Sequence, residues 1–248
     1  MDLHVISTGS KGNSYLLTDD QGRVIALDVG VKSSDILKAL NHDIEKFDGA
    51  LVTHEHGDHI KAVLELIKSG IPVYMSQGTS CAIGGIGISL PVTSDGRFDV
   101  FKLGNWYVQP FSTQHDAADP VGFLLANFNG HKLLYATDTY YIKYSFTGLT
   151  HIIIECNHCA DVLKQKVDAD EISNGRMARL LHSHFSLENV LKFLKSTDLS
   201  KCLKIVLVHL SDGNSDAKQM VHAVFKQTGI ETIAAEDGMD ISFDLFPF

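Results

Sequence analysis

The sequence predicts a mixed α/β protein of layered type, and three observations carry that expectation. Short apolar runs rich in Val, Ile and Leu alternate with segments whose apolar residues recur at helical spacing. Residues able to bind metals or move protons sit where those runs end: Asp138 closes Lys132 to Thr137 and His209 closes Lys204 to Val208. Layered α/β and αββα architectures place chemistry there, because strands are rigid and the following loops are exposed. Finally, 248 residues with 44% hydrophobic content suffice for a sizeable core, and such sandwiches reach this length as one unit.

In chain order, strands are expected near Leu3 to Ser7, Tyr15 to Thr18, Val24 to Asp28 and Ala50 to Thr53. Helices are expected over Ser34 to Leu40 and, from the spacing of Ile60, Val63, Leu64 and Ile67, over Ile60 to Ser69, which Gly70 and Pro72 punctuate. Residues Gly78 to Asp95, rich in Gly, Ser and Thr, read as a loop with at most a short helix. The second half is expected to hold strands near Phe98 to Leu103, Trp106 to Phe111, Gly122 to Phe128, Leu133 to Thr137 and Ile152 to Glu155. Helices follow, among them Leu187 to Leu194, then the buried strand Lys204 to Val208 and a helix Asp216 to Thr228. There is no low-complexity stretch and no period of the kind that marks a solenoid.

The most specific motif is Thr53-His54-Glu55-His56-Gly57-Asp58-His59, with the spacing HxHxDH. If Ala50 to Thr53 runs into it as a strand, His54 and His56 project to one side and can face one ion. Asp58 and His59 then fall near a helix start and can aim at a neighbouring ion. Imidazole suits Zn, Fe and Mn alike and carboxylate admits harder metals, so the motif indicates a divalent cation without naming it. An ion with open positions takes three protein ligands and a pair of ions takes more, and His115, Asp138 and His209, all at strand ends, supply the remainder.

Taken together, Asp28 in Ala26-Leu27-Asp28-Val29-Gly30, the His54 to His59 block, His115, Asp138 and His209 resemble the metallo-β-lactamase-fold hydrolases. The resemblance covers nearly the whole chain. It implies an α/β fold of the αββα kind, a four-layer metallo-β-lactamase sandwich forming a single domain over residues 1–248. It further implies two divalent metal ions per chain, Zn2+ or Mn2+, one held by His54, His56 and His115 and the other by Asp58, His59 and His209. Asp138 would bridge them, and Asp28 would orient ligands through hydrogen bonds rather than bind metal.

Three segments narrow the branch. Ser7-Thr8-Gly9-Ser10-Lys11-Gly12-Asn13-Ser14 resembles the opening of the exonuclease-like YycJ-type, or WalJ-type, branch. Glu155-Cys156-Asn157-His158 is similar to a loop of phosphodiesterases and tRNase Z, and His182-Ser183-His184-Phe185-Ser186 to that branch's His-Ser-Thr loop. Together they imply a phosphodiesterase acting on nucleic acid or nucleotide, with a cyclic-nucleotide phosphodiesterase, or a hydrolase of a thioester, lactone or amide, as the alternatives. His184 is the expected general acid, since a departing alkoxide gains from a proton that metal ions do not bring. Asp58 is expected to orient the nucleophile while binding metal. The plainer reading of His182 and His184 is a polar lead into a helix capped by Ser186. Tyr140 and Tyr141 stand where the family pattern leads one to expect a small residue, and they read as packing or as a stacking surface for a base.

Asp138 and His209 lie too close in sequence to admit the large inserted domain of the β-CASP nucleases. The net charge of −9 argues against processive work on duplex DNA, which calls for a basic stripe. A short nucleic acid or nucleotide is therefore the expected partner, with a homodimer allowed and no membrane: no apolar run approaches the roughly 18 residues of a spanning helix. Met1-Asp2-Leu3-His4 lacks the basic region and apolar core of a signal peptide, and the four scattered cysteines form no disulfide framework, which fits a reducing, cytoplasmic setting. Cys156-x-x-Cys159 has no second pair at zinc-knuckle spacing.

Overall fold

A computed structural model describes residues 1–211 and 213–246. In chain order the elements are β1 (Asp2–Ser7), β2 (Ser14–Thr18), β3 (Val24–Val29), α1 (Ser33–Ala39), β4 (Phe47–Leu51), α2 (Gly57–Ile60), α3 (Val63–Lys68), β5 (Val73–Met75), α4 (Gln77–Ala82), β6 (Ile88–Ser89), β7 (Phe101–Leu103), β8 (Trp106–Ser112) and β9 (Val121–Ala126). There follow β10 (Lys132–Ala136), β11 (His151–Glu155), α5 (Ala160–Asp168), α6 (Asn174–Ser183), α7 (Leu187–Ser196), β12 (Lys204–Val208), α8 (Ala217–Thr228), β13 (Glu231–Ala234) and β14 (Asp240–Ser242). The described residues group into two compact units, the first comprising 1–112, 117–131 and 236–246, the second 113–116 and 132–235.

The first unit holds a sheet in the order β14-β1-β2-β3-β4-β5-β6. It is antiparallel from β14 to β3 and parallel from β3 to β6. A parallel strand covered on both faces has to be apolar throughout, and β3 (Val-Ile-Ala-Leu-Asp-Val) is buried at every position, its single carboxylate included. Ala26, Ala50, Val52 and Val73 pack with Ile36 of α1 and with Val63 and Leu66 of α3 into one core. The same unit contains the antiparallel set β7-β8-β9. In the second unit β13, β12, β11 and β10 lie side by side, all parallel. The two central strands carry apolar runs without exposed surface: Ile152, Ile153 and Ile154 in β11, Ile205, Val206 and Leu207 in β12. Side-chain oxygens of Ser173, Ser186 and Asp216 cap α6, α7 and α8 by accepting backbone N–H bonds, and Gly229 ends α8 in the left-handed region at φ 69°. Among the described residues no helix is long and apolar enough to cross a membrane.

Four expected segments take a different form. The single helix over Ile60 to Ser69 is broken into α2 and α3 at Lys61 and Ala62. A continuous helix needs the Ala62 N–H on the Asp58 carbonyl, but that carbonyl accepts from the Asn13 N–H at 2.7 Å, and the Ala62 N–H goes to the Val29 carbonyl at 2.9 Å. The strand expected to reach Thr53 ends at Leu51, because the Thr53 N–H leaves the ladder for Oδ1 of Asp28 at 2.8 Å. Between Gly78 and Asp95 there is the short α4 and, beyond the loop expectation, the two-residue β6. The strand expected from Phe98 starts only at Phe101.

Candidate metal centre

In the first unit the chemistry gathers at the ends of β3 and β4. Asp28 is fully buried and sits at φ 56°, in the left-handed region that a residue with a β-carbon enters only when its surroundings hold it there. Its carboxylate accepts from the Thr53 N–H at 2.8 Å, from Thr53 Oγ1 at 3.0 Å and from Nδ1 of His59 at 2.9 Å. The last bond selects the tautomer of His59: with the proton on Nδ1, the lone pair is on Nε2. On that nitrogen's side stand Asn13 Nδ2, at 3.1 Å, and Asp58 Oδ2, at 3.5 Å. His56 precedes α2 in extended conformation, and its Nδ1 lies 3.0 Å from Nε2 of His54. The His54 ring is also 4.1 Å, centroid to centroid, from that of His59. Thus His54, His56, Asp58 and His59 stand side by side, as the HxHxDH spacing leads one to expect.

The approach of α2 to β3 depends on one glycine. A β-carbon on Gly30 would lie 1.6 Å from the Asp58 carbonyl oxygen and 2.8 Å from the Asn13 nitrogen. With no side chain at 30, the Gly30 N–H reaches the Asn13 carbonyl at 2.8 Å, and β3, the Gly9 to Asn13 loop and α2 are tied together at a single point.

In the second unit Asp138 and His209 follow β10 and β12 and, like Asp28, have positive φ, 46° and 52°. In each unit, then, a strand ends in left-handed residues that bear chemically active side chains, the kind of backbone strain that marks candidate functional positions. Oδ1 of Asp138 lies 2.8 Å from Nδ1 of His209. His115 directs Nδ1 at the Ser183 carbonyl at 2.7 Å, which puts its lone pair on Nε2, 3.7 Å from Oδ2 of Asp138. Burial keeps the His115 pKa below the ordinary histidine value, so its neutral, metal-binding form is favoured.

Beneath these groups lies Glu155, a residue absent from the expected site. It ends β11 with no exposed surface. Its Oε1 accepts from Nδ1 of His184 at 2.6 Å and Nδ1 of His209 at 3.0 Å, and its Oε2 from the N–H groups of Thr139 at 3.0 Å and Phe185 at 3.1 Å. Donor atoms of Asp138, Glu155, His184 and His209 all lie within 4.8 Å of one another. Since both Glu155 oxygens are engaged by donors, its part is to orient imidazoles. Burial alone would raise its carboxyl pKa, but the charge of His184 and the bonds from His184 and His209 hold it well below the usual carboxylate range. In turn, burial pushes both histidines down, and the carboxylates outweigh it: His184 ends above the ordinary value and His209 rises to about 10. A divalent ion on the same carboxylates would compete with those protons.

Asn13 and Glu155 entered the sequence reading only as parts of segments that resemble the exonuclease-like branch and a phosphodiesterase loop, with no role of their own among the expected site residues. A carboxylate closing a wholly apolar strand was the available signal for Glu155, the same one that marks Asp138. The helix-lead reading of the His182 loop is also satisfied, since Ser186 Oγ accepts from the Asn189 N–H at 3.2 Å while His184 binds Glu155. His182 sits in the last turn of α6, edge-on to Tyr140 with ring centroids 6.2 Å apart, and Tyr141 is exposed. Cys156 and Cys159 are buried free thiols, and among the described residues no candidate metal-binding group includes a cysteine.

A family model described as the beta-lactamase superfamily domain matches residues 32–210, well over half the chain. The chain belongs to that superfamily. Two curated relatives agree: the exodeoxyribonuclease YycJ of Bacillus anthracis, 29% identical over 82% of this chain and 90% of its own, and the exodeoxyribonuclease WalJ of Streptococcus pneumoniae, 27% identical over 98% of this chain and 92% of its own. Among solved structures, the metallo-β-lactamase fold protein YhfI from Bacillus subtilis superposes with a TM-score of 0.71 over 97% of this chain and 98% of its own, at 16% identity. That likeness bears out the expected α/β fold. This superfamily member is a metal-dependent hydrolase by kinship, and its clustered His and Asp side chains suit divalent ions.

Proposed function

We propose that this chain is a dinuclear metal-dependent phosphodiesterase with exonuclease-like activity on short nucleic acids. One ion is assigned to His54, His56 and His115, the second to Asp58, His59 and His209, with Asp138 shared; Zn2+ and Mn2+ both fit this donor set. The donor chemistry supports the assignment: bonds from Nδ1 of His59 and His115 leave the Nε2 lone pair as the ligand on each of these rings. Bound by these residues, two such ions would supply hydroxide at neutral pH and neutralise charge on phosphate.

The observation that carries the phosphodiester reading is the His184–Glu155 pair. Glu155 holds the Nδ1 side of the ring, which leaves Nε2 to carry a proton to the departing oxygen. Departing alkoxides of phosphodiesters need that help, whereas carbonyl hydrolysis has less use for it. Asp58, next to His59 Nε2, orients the attacking group. Similarity to relatives named exodeoxyribonuclease supports the same substrate class. Four free cysteines, three of them buried, suit a cytoplasmic setting.

A turnover screen of the Mn- and Zn-loaded protein tests the reading, using bis-p-nitrophenyl phosphate, single-stranded DNA, RNA, cyclic nucleotides and acyl-thioesters. Hydrolysis of the phosphodiesters, single-stranded DNA foremost, is expected. Turnover confined to thioesters would overturn it, and turnover confined to cyclic nucleotides would replace the polymer with a small substrate.

A further inference from the structure

A groove of about 650 Å³ in the first unit carries four lysines, Lys11, Lys32, Lys38 and Lys61, against one carboxylate, Asp35. On a chain of net charge −9 such a concentration of positive charge is conspicuous. All four lysines are exposed, and among the described residues Lys32, Lys38 and Lys61 form no ion pair. His4, also on the wall, has its Nδ1 on Asp240 at 2.7 Å. Phe, Tyr and Trp are missing from the described lining, so ammonium donors rather than large aromatic rings dominate the groove.

Segments that line the groove run directly into the residues that anchor Asp58 and His59. Lys61 directly follows α2, which bears Asp58 and His59. Lys11 is two residues before Asn13, whose N–H binds the Asp58 carbonyl and whose Nδ2 reaches His59. Lys32 is two residues after Gly30, which packs against that same carbonyl. Three groove segments thus leave from the point where α2 is anchored.

We propose that this groove holds the phosphate backbone of a single-stranded DNA substrate, on nucleotides beyond the one being cleaved. The inference rests on the phosphodiesterase reading above and deepens it: the substrate is a strand several nucleotides long, gripped without regard to sequence. Flexible ammonium groups neutralise phosphates, and each neutralised phosphate of a single strand contributes about 0.7 to the slope of log affinity against log salt.

The test measures binding of a phosphorothioate oligothymidylate to the purified protein by fluorescence anisotropy across a salt series, together with bis-p-nitrophenyl phosphate turnover. Lys32→Gln/Lys38→Gln is expected to weaken binding about tenfold near 0.1 M salt and to lower the salt slope by about 1.4, two contacts' worth. Its kcat on bis-p-nitrophenyl phosphate should match wild type. Lys192→Gln/Lys195→Gln on α7, an equal change of net charge elsewhere, should shift binding by less than about twofold, while Lys32→Arg/Lys38→Arg keeps wild-type affinity. Unchanged affinity and slope in the Gln pair, or an equal loss in the α7 pair, overturns the groove. Wild-type protein that binds through these lysines yet hydrolyses no phosphodiester leaves the groove standing and overturns the phosphodiesterase reading instead.

Discussion

Nδ1 of His184 lies 2.6 Å from Oε1 of Glu155, a carboxylate with no exposure at the end of a strand of isoleucines. The same oxygen accepts from His209, so one buried charge orients both a proposed proton donor and a proposed metal ligand. His184→Ala should therefore keep its metals and lose roughly 100- to 10,000-fold in kcat on an alkyl-linked nucleotide, the usual range for general acid catalysis. Nitrophenolate departs without a proton, and bis-p-nitrophenyl phosphate should suffer far less. Equal losses on both substrates would make His184 a substrate-positioning residue.

Glu155→Gln separates orientation from bulk. The amide keeps the shape but removes the charge that holds His184 protonated, so kcat should fall about 100-fold while KM stays near wild type. A rise in KM with kcat intact would show that the carboxylate organises the binding surface instead.

Asp28→Ala would leave the Thr53 N–H, the Thr53 hydroxyl and Nδ1 of His59 without their shared acceptor. Each buried group so stranded costs about 1–3 kcal/mol, and loss of a partner that orients a metal-binding histidine lowers metal affinity about 10- to 100-fold. Competition with a fluorescent chelator measures the second effect. Wild-type metal affinity in this variant would remove Asp28 from the site's support.

Gly30→Ala drives a methyl group into the Asp58 carbonyl. Backbone lies on both sides of the contact, and the strain should reach at least the 1–3 kcal/mol typical of overpacking, seen as a fall of roughly 2–4 °C in Tm per kcal/mol. An undiminished Tm would mean that α2 can move away from β3 at little cost.

How far these features were legible in the sequence depends on how local their causes are. The strands β3, β11 and β12 are buried at every or nearly every position, so unbroken Val, Ile and Leu runs announce them. The HxHxDH block is compact enough for spacing alone to bring its donors together. The break between α2 and α3 was not legible, because it is made by Asn13 capturing the Asp58 carbonyl across 45 positions of sequence. Short strands such as β5, β6 and β14 carry too few residues for any alternation to register. Glu155 was legible as part of a phosphodiesterase-like segment, but its partners were not, because only the fold brings His184 and His209 to its oxygens.

The most direct test of the central claim pairs metal analysis with turnover on the same samples: wild type as purified, wild type after chelation, chelated protein reloaded with Mn2+ or Zn2+, and Asp138→Asn. Active protein should hold close to two divalent ions per chain, lose bis-p-nitrophenyl phosphate and DNA hydrolysis on chelation and recover it on reloading, and Asp138→Asn should be inactive and metal-depleted. Full turnover with one ion or none per chain, or an Asp138→Asn variant as active as wild type, would contradict the central claim.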